Sequence, residues 1–318
     1  MIPGRKNSGG IYMDEIKVFS PATVANVACG FDCLGFALEK PFDEMTLRRI
    51  PEKEVRIVHH DGFGLPTEAG RNVAGVVLLS MLDAVDADFG FEAGITKHIK
   101  PGSGIGSSSA SAAGAAFAAN ELLDRRFSKT ELVSFAMGGE ELASGSRHAD
   151  NVAPCIYGGF TLVRSKDPLD IAEVAFPELF ATVIHPEIEV RTSDAREILK
   201  QNISLPVAVE QWSNIAGLVA GLSNGDYGLI SRSLEDRIIE PVRKVLIPKF
   251  DELKNAGLEA GALGGGISGS GPSVFMFSEN SETANRVESV MRGVFTDSGL
   301  EFNTYVSKIN SRGVKTAD

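Results

Sequence analysis

The sequence predicts an α+β fold, and three observations carry that expectation. Strand-like alternation and helix-like periodicity succeed one another from residue 16 to residue 309. The helical stretches are apolar along one stripe only. Residues 164–177, charged and holding two prolines, mark a boundary between two halves. With 318 residues the chain has room for one large or two ordinary domains.

Residues 16–20 read as a strand ended by Pro21. Residues 22–32 then hold Asn26 and Asp32 among small apolar side chains, where turn chemistry around Gly30 and substrate contact are equally good readings. Residues 45–50 and 54–60 alternate as a hairpin. His59 and His60 at its end point to opposite faces and read as surface residues. Val73, Val77, Leu78, Met81, Leu82 and Val85 form a stripe that predicts a helix over 73–85, with Asn72 as its N-cap. Residues 94–100 read as a strand leading into a glycine-rich segment, and residues 148–154 as a polar loop before a strand at 160–163.

In the second half the pattern predicts strands at 180–185, 260–263, 273–277 and 302–309, and helices at 192–200, 207–222, 250–257 and 281–295. A glycine cluster at 264–271 formally contains Gly-x-Gly-x-x-Gly. Pro272 and a strand follow it rather than a helix, so it reads as a close approach of backbone to another loop or a ligand.

Two features carry chemistry. The first is Pro101-Gly102-Ser103-Gly104-Ile105-Gly106-Ser107-Ser108-Ser109-Ala110, which runs into an alanine-rich helix. Such a turn aims free N–H groups and the positive end of a helix dipole at one point, which suits a phosphate. Ser107, Ser108 and Ser109 add hydroxyls for phosphate oxygens or Mg²⁺. No Gly-Lys-Ser/Thr follows, so this is not a Walker loop. The second is a helix begun by the capping box Ser128-Lys-Thr-Glu131. Leu132, Ala136, Gly139 and Ala143 form its inner stripe, Glu140 falls at the stripe's edge and Glu141 faces away. A carboxylate at an apolar edge needs a cation, and metal ligation is favoured over a buried salt bridge.

The net charge of −11 argues against a broad nucleic-acid or anionic-membrane surface. No apolar run approaches the roughly 20 residues of a membrane span. Residues 1–12 lack the apolar core of a signal peptide, so the expected compartment is the cytoplasm, with residues 1–13 a disordered extension. Cys29, Cys33 and Cys155 are too few and scattered for a disulfide framework and read as buried thiols.

Three separated segments together resemble the motif set of the GHMP kinases: residues 101–110 the phosphate loop, 266–272 the C-terminal glycine motif, and 21–32 the N-terminal motif in its homoserine kinase form. Residues 148–154, 191–196 and 241–248 are similar to the same branch, while Ala28-Cys29 and Ala149 depart from it. The resemblance implies a two-domain fold, with an N-terminal α/β nucleotide-binding domain at 14–170 and a C-terminal ferredoxin-like α/β sandwich at 171–318. It implies ATP- and Mg²⁺-dependent phosphorylation of the L-homoserine hydroxyl in threonine biosynthesis, and a homodimer. By position, Pro101 to Ala110 and Asn72 would bind the nucleotide, and Ser108 and Glu140 the metal. Asn26, Asp32, Asn151, Thr192, Arg196 and Arg243 would bind homoserine, with Arg237 an alternative to Arg243. Ser108, Glu140 and Asn151 would be the catalytic residues, with no general base assigned. The alternatives are another small-molecule GHMP kinase, for mevalonate or an isoprenoid intermediate, and a non-catalytic nucleotide sensor.

Overall fold

Side chains alternate between core and solvent along the start of β1 (Glu15–Ala25), which then buries both faces. The computed structural model describes residues 14–317 except Arg191, Gln201, Asp297 and the side chain of Ser193; the extension expected at 1–13 lies outside the described residues. Pro21 does not end β1. It sits where the register to β2 (Leu34–Ile50) shifts between Pro21 and Thr23, a bulge that tolerates the missing N–H. The expected hairpin is also absent. β3 (Val55–His59) runs parallel to β4 (Gly90–Thr96), which lies between it and β2. Between them α1 (Val73–Ala84) starts at Asn72 as predicted. α2 (Ser107–Leu122) and α3 (Lys129–Ser144) follow, the latter with its capping box formed. The polar loop expected at 148–154 is half helix, α4 (Val152–Tyr157), with Pro154 inside the first turn, where its missing N–H costs nothing. β5 (Phe160–Lys166) and β6 (Leu169–Val174) close this half.

The second half runs β7 (Phe180–Pro186), α5 (Thr192–Glu197), α6 (Leu205–Asn224), α7 (Tyr227–Ser233), α8 (Glu240–Arg243) and α9 (Phe250–Glu259). It ends with β8 (Gly264–Ile267), β9 (Val274–Ser278), α10 (Ser281–Thr296), β10 (Phe302–Lys308) and β11 (Lys315–Thr316). β8 occupies part of the second glycine cluster rather than 260–263, and α9 continues through Gly257.

One sheet has the order β11-β1-β2-β4-β3, with β5 on β2 and β6 on β5; the other is β10-β7-β9-β8. The division expected at 170/171 falls inside β6, and the chain of the first sheet runs through Val174 before crossing. Phe36 and Phe160 from the first sheet meet Phe275 and Phe277 from the second, with ring centroids 4.9–5.8 Å apart and all four side chains buried. At roughly 1.5–3 kcal/mol per buried ring, this shared core binds the halves to one another.

Candidate active site

The glycine loop and the junction of the two halves open onto one crevice of about 350 Å³. Its floor is the start of α2. Gly102, Gly104 and Gly106 have φ of 77°, 79° and 70°, the left-handed region that side chains resist. A Cβ on Gly104 would lie 2.5 Å from the Gly271 carbonyl oxygen, so the two glycine motifs touch through bare backbone. Ser268 Oγ donates to the Gly104 oxygen at 2.7 Å, and Ser273 Oγ to the Ser103 oxygen at 2.6 Å. The second glycine cluster is therefore a buttress for the loop.

The loop's hydroxyls divide by role. Ser103 Oγ donates to Lys100 O and Ser107 Oγ to Ile99 O, so both are spent on holding the turn. Ser108 lines the crevice. Ser103, Ile105, Ser109 and Ala110 do not: Ile105 and Ala110 pack in the core, and Ser109 is buried. The first amides of α2 have no intrahelical acceptor, and Gly106 supplies no side-chain cap.

Glu140, carried by α3, reaches the same wall. Burial pushes its carboxyl up from the ordinary range, while the Ser108 and Ser109 hydroxyls and the Lys97 charge pull it back. Its Oε1 is buried with no hydrogen-bond partner among the described residues, as a carboxylate waiting for a cation would be. Glu141 is exposed and pairs with Arg147.

Lys97 and Asp43 were not foreseen. Lys97 Nζ pairs with Asp43 Oδ2 under the loop and donates to Ser107 O and Ser111 Oγ, each at 2.9 Å. Asp43 Oδ1 accepts from the amides of His98 and Ile99. The signal was present in the sequence. Asp43 shares strand parity with Met45 and Leu47, and Lys97 with Ile95 and Ile99, so both had to face inward.

Asn72 lines the crevice, but its side chain is fully engaged. Oδ1 caps α1 through Ala74 N and Gly75 N, and Nδ2 donates to Pro66 O and approaches His59 Nε2 at 3.1 Å. His59 is thus a crevice residue, not a surface one; of the pair, His60 alone is exposed.

The opposite wall is charged. Arg196 Nη2 donates to both Asp32 oxygens at 2.9 and 3.0 Å, with His148 Nδ1 and Lys166 Nζ each 3.9 Å from the carboxylate. Arg243 is buried, donates to Ala195 O and Gly269 O, and lies over the Phe31 ring at 5.0 Å. Arg237, by contrast, is a surface residue paired with Glu210 and Glu235. Thr192 also lines this wall, 3.3 Å from Ser270 Oγ. Asn26 lines it but spends its amide on Gly269 O and Asp32 N, which pins the left-handed turn bearing Asp32. Between the walls stand Asp150 and Asn151. Burial, then the nearby Asp32 charge, pushes Asp150 up to about 7. Burial lowers His148 despite Asp32, which favours the neutral imidazole. Cys29 and Cys33 are pushed up to about 12 and about 11 by burial and are poor nucleophiles.

Comparison with known proteins agrees with this layout. The family model described as GHMP kinases N terminal domain matches residues 72–159, and the one described as GHMP kinases C terminal matches 218–297. A homoserine kinase of Chloroherpeton thalassium is 45% identical over 95% of this chain and 99% of its own. The crystal structure of homoserine kinase from Cytophaga hutchinsonii superposes with a TM-score of 0.92 at 50% identity, covering 96% of this chain and 98% of that one. An L. major mevalonate kinase shares the fold alone, at 15% identity and a TM-score of 0.70 over 93% of this chain and 96% of that one.

Proposed function

The chain belongs to the GHMP kinase family, and on that premise we propose that the crevice phosphorylates the side-chain hydroxyl of L-homoserine with ATP, giving O-phospho-L-homoserine for threonine biosynthesis. The observation that supports this most is the pairing of two walls in one crevice: bare amides at the start of α2 on one side, Asp32 with Arg196 and Arg243 on the other. The first suits a triphosphate and the second a zwitterion.

The amino acid slots into an existing ion pair. Its ammonium takes the place of Arg196 at Asp32, and its carboxylate takes the place of Asp32 at Arg196, with Arg243 beside it. A mevalonate-type acid has no ammonium to take the place of Arg196 at Asp32.

Ser108 and Glu140 fit Mg²⁺, given the partnerless Glu140 Oε1 and the Ser108 hydroxyl on the same wall. No cluster of three or more His, Cys, Asp or Glu side chains among the described residues could hold a metal, so phosphate oxygens and water would complete the shell. Held by Ser108 and Glu140, the ion would supply positive charge against the phosphates. The protein supplies the rest. Loop amides orient the triphosphate, and Lys97 stiffens their scaffold. The substrate oxygen attacks phosphorus as the bond to the departing diphosphate breaks, and the hydroxyl proton passes to Asp150, whose carboxyl lines the crevice and is pushed up to about 7 by burial. Such transfer depends chiefly on positioning and charge, so a weak acceptor suffices.

The test is nucleotide turnover with homoserine, serine, threonine and mevalonate as acceptors. Homoserine should be phosphorylated far faster than the others. Turnover of mevalonate at the same rate would refute the zwitterion pocket.

A further inference from the structure

Asn151 stands in the crevice between the phosphate loop and the charged wall, with an amide that offers either a donor or an acceptor. Which end faces the reacting atoms decides its chemistry. Thr23 Oγ1 donates to Asn151 Oδ1 at 2.8 Å, and Thr23 is fully buried. Among the described residues that oxygen is the only acceptor for the hydroxyl proton, and Asn151 Nδ2 has no partner.

We propose that Thr23 is the positioning residue that holds the Asn151 amide with its NH2 aimed into the crevice, making Asn151 a hydrogen-bond donor to the oxygens around the transferring phosphoryl group. The proposal rests on the kinase reading above. Flipping the amide would leave the Thr23 O–H without an acceptor in the core and would turn a carbonyl oxygen towards phosphate. Thr23 is itself fixed from both sides. Its amide donates to Ile105 O at 3.1 Å, and it pairs with Ala37 across β1 and β2. Its hydroxyl fills the space left by a glycine, because a Cβ on Gly106 would lie 2.1 Å from Oγ1. One hydroxyl therefore couples the seat of the phosphate loop to the direction in which Asn151 points. This also gives a reason for amide rather than acid at 151: a carboxylate could accept from Thr23 but would have no donor left for phosphate.

The test compares T23V, which keeps the branched shape and removes the hydroxyl, with T23S, which keeps the hydroxyl. Full loss of a preorganised donor lowers turnover about 10²–10³-fold, so T23V, which only frees the amide to flip, should lower kcat on the order of 10- to 100-fold, with KM for ATP nearly unchanged. T23S should recover most of the turnover. In ¹⁵N-labelled protein the Asn151 side-chain NH2 signals, assigned with N151A, should move in T23V and stay in T23S. Wild-type kcat in T23V, equal losses in T23V and T23S, or NH2 signals unmoved by T23V would each overturn the proposal. Should T23V fail to fold, the wild-type protein decides: its Asn151 NH2 signals must shift with a non-hydrolysable ATP analogue, and unmoved signals overturn the proposal. The NMR readout stands apart from the identity of the acceptor alcohol, so failure of homoserine turnover would count against the functional reading alone.

Discussion

Replacing Asp150 by asparagine should stabilise the protein, and by an amount that depends on pH. The carboxyl is buried, and burial together with Asp32 raises it from 3.8 to about 7. The folded chain thus binds this proton more tightly than the unfolded chain does. Below about pH 4 the group is protonated in both states and carries no penalty. Between about 4 and 7 the unfolded state ionises while the folded state resists, and stability falls. Above about 7 the penalty is complete. A gap of about three pH units, at about 1.4 kcal/mol each, amounts to about 4 kcal/mol. D150N removes the titrating proton while keeping shape. Urea unfolding at pH 4.5, 6 and 8 should therefore show a stability difference between D150N and wild type that is smallest at the lowest pH, about 1 kcal/mol, and grows to about 4 kcal/mol at the highest. A difference that stays flat across this range, or a D150N protein weaker at pH 8, would refute the assignment of Asp150 as a strained buried acid.

Glu140→Gln should lower kcat by about 10²–10³, the scale of losing one preorganised charge contact, while raising the urea midpoint at neutral pH because a desolvated carboxylate is removed; turnover close to wild type at saturating Mg²⁺ takes Glu140 out of the site. Gly104→Ala forces a side chain against the Gly271 carbonyl at positive φ and should raise KM for ATP well before it alters KM for homoserine, measured by initial rates; an unchanged KM for ATP counts against the loop as the phosphate seat. Arg243→Lys loses the planar fork that reaches Ala195 O and Gly269 O, and KM for homoserine should rise on the order of 10- to 100-fold, the 1.5–3 kcal/mol scale of a charged hydrogen bond. An equal KM would move carboxylate binding elsewhere.

What the sequence revealed follows the range of the forces involved. α1, α2 and α3 were legible because their stripes, caps and glycines are local signals, and the capping box at Ser128 formed as read. The placing of Glu140 was legible for the same reason: 100° per residue puts it at the core edge of α3. Strand partners were not. Residues 45–50 and 54–60 look like a hairpin because adjacency is the default, and only the insertion of β4 between them, a long-range pairing, makes β3 parallel. His59 was misplaced as a direct result, since its environment comes from Asn72, thirteen residues on. Arg196 and Asp32 lie 164 residues apart, so spacing alone could not bring them together. Asp43 and Lys97 could have been found by asking which charged residues share parity with the core side of a strand.

The brief strand β11 closes the molecule on itself. Its residues pair with Val18 and Phe19 in β1, Ala317 N donates to Lys17 O, and Val314 N donates to Cys155 O at the far end of the helix that begins beside Asn151. Residues 314–317 thus tie the second half back onto the first. Clipping the tail behind residue 309 would loosen the opening strand and the base of α4 together, so the nucleotide half cannot be cut out at the crossover and still keep its own border.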